Sequence, residues 1–129
     1  MVLLDSSVII AYFREIELDH KRAEKIFDEH EELIIPDVVM SEVLTILKMK
    51  EGLEKAGLAA EFLINGEGIE MIYTDDEIFD ASLGDFISQK NKLSFVDTLL
   101  LRQSNQQRIP LVTFDKELAK LAKSRRIPL

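Results

Sequence analysis

The sequence predicts an α/β protein in which helices cover both faces of a parallel sheet. Short, continuously apolar segments alternate with longer segments of helical periodicity, which is the pattern of strands buried on both sides. The chain has 129 residues, of which 47% are hydrophobic, enough for one domain with a packed core. No repeat, low-complexity tract or linker interrupts the pattern, so residues 1–129 are expected to form a single domain.

Each predicted strand is a short apolar run bounded by residues unsuited to a strand. The first run stops at Asp5, whose carboxylate is costly to bury, and the second stops at Pro36. The turn signal Asn65–Gly68 precedes the third run, and Asp115 follows the fourth. The predicted strands, in chain order, are Val2–Leu4, Leu33–Ile35, Ile69–Tyr73 and Leu111–Thr113, with a short edge strand at Ile127–Leu129.

The segments between the strands have the apolar spacing of amphipathic or buried helices. Side-chain oxygens at Asp5–Ser7 and at Ser94 are suited to cap the helices that follow them. Gly52 separates two consecutive helices. The predicted helices, in chain order, cover residues 8–13, 20–30, 38–50, 53–64, 76–90, 95–104 and 116–123.

The composition excludes several kinds of functional site. The chain has no Cys, which excludes a disulfide scaffold, a thiolate zinc site and a Cys nucleophile. Its apolar start lacks a basic leader, and no run is long enough to cross a bilayer, so a cytoplasmic protein without membrane attachment is expected. The net charge of −8 opposes nonspecific nucleic-acid binding. Bound divalent cations and a local basic rim would still let an acidic protein act on nucleic acid.

Four acidic residues lie in apolar surroundings. Asp5 ends the run that begins at Met1, and Asp115 follows the fourth predicted strand. Glu42 and Asp97 lie early in helices, and most of their neighbours three and four positions away are apolar. Burying one carboxylate costs several kcal/mol, and four together also repel one another. If the first and fourth strands are neighbours, all four acids meet beyond the carboxyl ends of the strands, where open α/β folds bind ligands.

Each acid also has an ordinary structural explanation. Asp5 and Asp115 can cap the helices that begin after them, and Asp97 stands at the capping-box position three residues after Ser94. Glu42 lies well inside its helix, where capping is not available, and a buried ion pair is its alternative. All four explanations would have to hold together at one edge of one sheet, so a shared metal site is the favoured interpretation.

Mg²⁺ or Mn²⁺ suits such a set of acids. Both are hard cations that bind carboxylate oxygens, and they promote attack of water on a phosphodiester. Ser6 follows Asp5, and Thr113 lies two residues before Asp115. Their hydroxyls are candidates to orient a carboxylate or a bound water, with ordinary capping or strand-end hydrogen bonding as the alternative.

The four acids and their flanking residues resemble the PIN-domain family, and within it the VapC-like toxin branch. The order and spacing of the matching segments, and the total length, agree along the whole chain. Each segment is short, but the ordered quartet on this helix–strand plan is fairly specific. The matching segments are Leu4-Asp5-Ser6-Ser7-Val8-Ile9-Ile10, Glu42 within Pro36–Leu47, Leu93-Ser94-Phe95-Val96-Asp97 and Val112-Thr113-Phe114-Asp115.

The resemblance implies both a fold and an activity. The implied fold is a three-layer α/β/α sandwich around a parallel sheet of four to five strands in the order 3-2-1-4-5. The implied activity is that of a Mg²⁺- or Mn²⁺-dependent endoribonuclease, in which metal-activated water hydrolyses RNA. Its implied catalytic and metal-binding residues are Asp5, Glu42, Asp97 and Asp115, with Ser6 and Thr113 in support. An antitoxin protein and a second copy of the chain are the implied partners.

The helix pair over 38–50 and 53–64 carries more apolar residues than one buried face requires. Part of its surface is therefore a candidate interface for a homodimer or an antitoxin, the alternative being packing within its own domain. The apolar residues concerned are Leu44, Leu47, Met49, Leu53, Leu58, Phe62 and Leu63.

Three other functions remain as alternatives. A phospho-receiver domain fits the length, but it needs an acidic pair after the first strand, where Asp5 is followed by Ser6, and its phosphoacceptor would have to be Asp75 or Asp76. A dehalogenase-like phosphatase needs a second Asp two residues after the first, where Ser7 stands. A non-catalytic module that keeps the PIN fold and acts through a partner is disfavoured by the intact acidic quartet.

Overall fold

The computed structural model describes residues 1–124 as a parallel β-sheet flanked by helices. The strands are Val2–Leu4 (β1), Leu33–Pro36 (β2), Ile69–Ile72 (β3) and Leu111–Val112 (β4). The helices are Ser6–Phe13 (α1), His20–Glu29 (α2), Asp37–Glu51 (α3), Leu53–Asn65 (α4), Asp76–Ser88 (α5), Phe95–Gln107 (α6) and Lys116–Ser124 (α7). All elements predicted within these residues are present, with ends that differ by a few positions. The predicted fifth strand, Ile127–Leu129, lies outside the described residues.

The sheet has the strand order β3-β2-β1-β4, and all its pairs are parallel. This confirms the predicted three-layer α/β/α fold and the order 3-2-1-4 within the described part of the chain. The two central strands, β1 and β2, are fully buried, whereas β3 and β4 at the edges are only partly buried. Continuous apolar sequence in the central strands is what burial on both faces requires.

The core lies against the two central strands. Leu3 and Leu4 of β1 and Ile35 of β2 are fully buried, as are Ile9 of α1 and Leu47 of α3. Removing a buried Leu from such a core costs about 2–5 kcal/mol. Packing of this core therefore holds the end of β1 in place, and with it the position of Asp5.

The turn between α4 and β3 depends on a glycine. Gly68 has a φ of +77°, and a Cβ at this position would lie 2.3 Å from the carbonyl oxygen of Glu31. The carbonyl oxygen of Gly68 accepts a hydrogen bond from the amide of Leu33 at 2.8 Å. A residue without a side chain is needed here so that β3 can pair with β2. Among the described residues, no helix is both long and apolar enough to cross a membrane.

Candidate functional site

The pairing of β1 with β4 determines where the first and last acids lie. Leu4 is opposite Val112 in the parallel register, and the amide of Asp5 donates to the carbonyl of Val112 at 3.1 Å. Asp5 therefore leaves the sheet beside Thr113, two residues before Asp115. The structure confirms that the first and fourth strands are neighbours.

Two hydroxyl groups hold the Asp5 carboxylate. The hydroxyls of Thr113 and Ser7 donate to Oδ2 of Asp5 at 2.6 Å and 2.8 Å. The amide of Phe114 donates to the Ser7 hydroxyl at 3.0 Å, and the amide of Asp115 donates to the Thr113 hydroxyl at 3.0 Å. Asp5 is only 4% exposed and makes no side-chain cap to α1. The capping explanation for Asp5 therefore fails, and its carboxylate has a fixed orientation.

Glu42 lies in the second turn of α3 and is partly buried. Its Oε1 accepts a hydrogen bond from the hydroxyl of Ser6. Ser6 therefore supports Glu42, whereas Ser7, which the sequence analysis did not single out as a support, contacts Asp5. The signal was available, because a Ser two residues after an Asp can bond that carboxylate at the start of a helix. No ion pair to Glu42 is present among the described residues, so its alternative explanation fails as well.

Asp97 is the third residue of α6. Its amide donates to the Ser94 hydroxyl at 3.1 Å, as in the predicted cap, while its carboxylate is partly buried. Burial raises the pKa of Asp97 to about 6, and the negative charges of Asp5 and Asp115 add to this rise against the opposing hydrogen bonds of Ser94. Three of the four acids therefore act on one another, in the way that marks functional sites.

Asp115 is exposed and has two functions in this geometry. Its Oδ1 accepts a hydrogen bond from the amide of Leu118 at 2.9 Å and caps α7. The predicted capping explanation is therefore correct for Asp115, yet its charge also acts on Asp97. Capping and membership of the acidic site do not exclude each other.

The site offers only carboxylate and hydroxyl oxygens. Within residues 1–124, no three Asp, Glu, His or Cys side chains lie close enough to enclose one ion. Mg²⁺ does not require such a cage, because it keeps several waters and is commonly held by one or two carboxylates. The donor chemistry fits Mg²⁺ or Mn²⁺. Burial and the charges of Asp5 and Asp115 both disfavour the ionised form of Asp97, and a cation would relieve this.

The sequence model of the PIN domain matches residues 2–124. The chain belongs to the PIN domain family. The predicted family is confirmed. Among curated proteins, no sequence matches the chain.

Solved structures show which proteins share the fold of this PIN domain. VapC20 of Mycobacterium tuberculosis, described as a sarcin-ricin loop cleaving toxin, superposes with a TM-score of 0.86 at 16% identity, covering 94% of this chain and 95% of VapC20. FitAcB from Neisseria gonorrhoeae has a TM-score of 0.68 at 16% identity, with 95% and 94% of the two chains covered. A toxin–antitoxin complex from Klebsiella pneumoniae has a TM-score of 0.65 at 19% identity, with 91% and 88% covered.

This PIN domain carries a further Asp at the same edge of the sheet. Asp37 follows β2, and its Oδ1 accepts hydrogen bonds from the amide and the hydroxyl of Thr74 at 3.2 Å and 2.6 Å and from the amide of Val38 at 2.9 Å. The register that places Pro36 opposite Ile72 brings Thr74 to this position. Asp37 thus joins the ends of β2 and β3.

The predicted interface of this PIN domain is partly exposed. Leu47 and Leu63 are buried in the core, so for these two the packing alternative is correct. Other apolar side chains of α3 and α4 remain exposed on the surface of the described protein. The exposed ones are Met49, Leu53, Leu58, Phe62 and Ile64, with Met49 at 80%.

Proposed function

We propose that this PIN domain is an endoribonuclease that depends on Mg²⁺ or Mn²⁺ and hydrolyses RNA phosphodiester bonds. The residues proposed to hold the metal and to carry catalysis are Asp5, Glu42, Asp97 and Asp115. The observation that carries the proposal is the grouping of Asp5, Asp97 and Asp115, in which burial and two like charges raise the pKa of Asp97 to about 6. A fold uses such an unfavourable grouping where a cation or a reaction requires it.

The residues of the chain have separate functions in this proposal. Asp5 is the fixed ligand, because Thr113 and Ser7 occupy its Oδ2 and leave Oδ1 outside these bonds. Ser6 orients Glu42 in the same way. Asp97 and Asp115, which are less buried than Asp5, contribute further negative charge to the proposed metal site. When bound, a divalent cation neutralises this charge and promotes attack of water on a phosphodiester, with 5′-phosphate and 3′-hydroxyl products.

We further propose that the protein is the toxin of a toxin–antitoxin pair. Support comes from the fold, which it shares with a toxin that cleaves the sarcin-ricin loop and with toxin–antitoxin complexes. VapBC2 of Rickettsia felis, described as bound to a DNA fragment from the promoter, has the same fold at a TM-score of 0.69 and 10% identity. The proposed substrate is RNA and the proposed regulator is an antitoxin protein. A cytoplasmic location remains an expectation from sequence.

A homodimer or an antitoxin is the proposed occupant of the exposed apolar surface on α3 and α4. Met49, Leu53 and Leu58 lie on this surface with more than half of their area exposed, and exposed apolar residues that cluster are typical of interfaces. Light scattering of the protein alone at micromolar concentration tests the dimer. A mass of two chains is expected, and a monomer would contradict it.

The strand order disfavours the phospho-receiver alternative. A phosphoacceptor after the third strand would have to approach Asp5, but β2 separates β3 from β1. The carboxylate of Asp75 instead caps α5, where its Oδ1 accepts a hydrogen bond from the amide of Ile78 at 2.8 Å.

Cleavage of RNA by an isosteric variant tests the proposed function. We expect the parent protein to cleave RNA in Mg²⁺ or Mn²⁺ and to lose this activity in EDTA. Asp5→Asn should abolish cleavage, while Asp28→Asn, which removes the same charge from the exposed face of α2, should not change it. Equal cleavage by Asp5→Asn and the parent would refute the assignment.

A further inference from the structure

A cleft opens directly beside the acidic site. It has a volume of about 340 Å³, which lies within the range of small-molecule sites and exceeds the volume of one nucleobase. Ser7 and Asp115 form the side that it shares with the acids, and Ile10, Ala11 and Phe114 supply apolar surface. A group bound in this cleft would therefore touch the same residues that hold and neighbour the Asp5 carboxylate.

Two further carboxylates line this cleft. Glu17 and Asp19, in the segment between α1 and α2, line it. Each bonds an arginine through one oxygen: Arg14 donates to Oε1 of Glu17 at 2.5 Å, and Arg22 donates to Oδ1 of Asp19 at 2.9 Å. Oε2 of Glu17 and Oδ2 of Asp19 take no part in these two bonds, and both are hydrogen-bond acceptors.

Arg22 also lies over the aromatic wall of the cleft. The centre of its guanidinium group is 4.5 Å from the centre of the Phe114 ring, a distance at which a cation–π attraction acts. The contact with Phe114 and the bond to Asp19 together hold a planar cation at the rim of the cleft. Guanidinium planes and aromatic rings are the surfaces on which proteins stack unpaired RNA bases.

We propose that this cleft binds one unpaired nucleobase of the substrate, adjacent to the phosphodiester that is cut, and that Glu17 and Asp19 select guanine. The proposal rests on the proposed ribonuclease function and adds its base preference. Guanine carries two neighbouring donors, N1–H and N2–H, which match two carboxylates in number and kind. Adenine and cytosine offer one amino group, and uracil offers one N–H beside two carbonyl oxygens that the carboxylates would repel.

The chemistry of the cleft also favours a base over other ligands. A purely apolar ligand would exclude water from Oε2 of Glu17 and Oδ2 of Asp19, the oxygens outside the arginine bonds, without replacing its hydrogen bonds, which is unfavourable. A second phosphate would lie beside three acids, Glu17, Asp19 and Asp115, with Arg22 already paired. A base with donor groups satisfies the carboxylates and stacks on the apolar wall, so it uses both parts of the cleft.

Binding of nucleosides to the metal-free protein tests the cleft independently of catalysis, because a nucleoside carries no phosphate that the acids would repel. Backbone amide resonances of Ile10, Ala11 and Phe114 should shift on addition of guanosine in EDTA, with an affinity about tenfold higher than for adenosine, cytidine or uridine. Asp19→Asn should remove most of this preference, and Asp28→Asn should leave it intact. No binding of guanosine, equal affinities for the four nucleosides, shifts elsewhere on the protein, or the same loss in both variants would overturn the proposal.

Cleavage of a random-sequence RNA pool tests the same selection in the reaction. The parent protein should require guanine at one fixed position next to the cut, and Glu17→Gln or Asp19→Asn should relax that position alone while the rate on the best substrate falls less than tenfold. An unchanged preference in both variants would overturn the proposal and leave the ribonuclease function standing. Absence of any cleavage would refute the ribonuclease function, whereas the binding of guanosine would still decide whether the cleft takes guanine.

Discussion

The carboxyl edge of the sheet has two acidic regions with opposite character. Beyond β2 and β3, Asp37 accepts three hydrogen bonds, from Val38 and from the amide and hydroxyl of Thr74. Beyond β1 and β4, Asp97 shares its surroundings with the charges of Asp5 and Asp115, and its pKa rises to about 6. The carboxylate of Asp37 is satisfied by hydrogen bonds from neighbouring residues, whereas the carboxylate of Asp97 lies among like charges.

Under the proposed function, this difference separates a structural acid from an acid of the metal site. Asp5 and Asp37 both directly follow a buried strand, Asp5 just before α1 and Asp37 as the first residue of α3, so their local sequences predict a similar environment. A threonine hydroxyl after the neighbouring strand bonds each of them, Thr74 for Asp37 and Thr113 for Asp5. The two acids differ because Asp5 also lies among other carboxylates, whose charges raise the pKa of Asp97. A carboxylate satisfied by the fold needs no ion, whereas grouped carboxylates favour one.

The largest expected effect is a difference in activity between the two regions. Asp97→Asn should reduce the rate of RNA cleavage in Mn²⁺ more than about a hundredfold, because losing a metal ligand exceeds the effect of losing its hydrogen-bond partner. Asp37→Asn should leave the rate within a factor of about three. Comparable losses in both variants would mean that the two regions do not differ in function.

The next effect concerns the hydroxyl that fixes Asp5. Thr113→Val keeps the shape of the side chain but removes the donor to Oδ2 of Asp5 at 2.6 Å, so cleavage should fall about tenfold to a hundredfold. Thr45→Val serves as the matched control. It removes a hydroxyl that donates to the carbonyl of Ser41 on the exposed face of α3. An unchanged rate in Thr113→Val would show that the orientation of Asp5 has no effect.

A smaller effect is expected from pH. Because the pKa of Asp97 is raised to about 6, protons compete with the cation below that value. At a metal concentration below saturation, cleavage should be about tenfold slower at pH 5 than at pH 7, where Asp97 is ionised. Circular dichroism at each pH provides the control for folding. A flat rate between pH 5 and pH 7 would contradict the raised pKa.

The smallest effects are changes in stability of opposite sign. In the metal-free protein the folded-state pKa of Asp97 exceeds its ordinary value of 3.8, so its contribution to stability is lost as the pH rises through about 6. Asp97→Asn should therefore raise the free energy of unfolding at pH 7. Asp37→Asn should lower it by about 1 kcal/mol, through weaker hydrogen bonds and a lost charge at the start of α3. Urea denaturation in EDTA measures the free energy of unfolding of both variants. Changes of the same sign in the two variants would contradict the proposed difference between the two acidic regions.

Much of the fold follows from local pattern. The four strands are short apolar runs, and two predicted capping residues, Ser94 before α6 and Asp115 before α7, do cap their helices. Parallel pairing and burial on both faces follow from the alternation of strands and helices. The site hypothesis required β1 and β4 to be neighbours in the sheet. Local pattern does not show this, and it is established only by the hydrogen-bonded pairing in the structure.

The partners of the site residues were less predictable. A hydroxyl beside an acid in sequence is not necessarily its partner, because Ser6 and Ser7 lie on different sides of the first turn of α1 and reach Glu42 and Asp5, respectively. Long-range pairs such as Thr113 with Asp5 depend on strand register. The arginine pairs of the cleft are local, each joining residues three positions apart, but Glu17 and Asp19 lie between α1 and α2, where the chain has no regular pattern to predict their geometry.

Binding of Mn²⁺ at pH 7.5, measured by isothermal titration calorimetry, tests most directly whether the acids beyond β1 and β4 form the cation site. The parent protein and Asp37→Asn should bind Mn²⁺ with similar affinity, while Asp5→Asn should show no binding over the same concentration range. Absence of binding in the parent, or equal binding by Asp5→Asn and the parent, would contradict the assignment of these acids to a metal site.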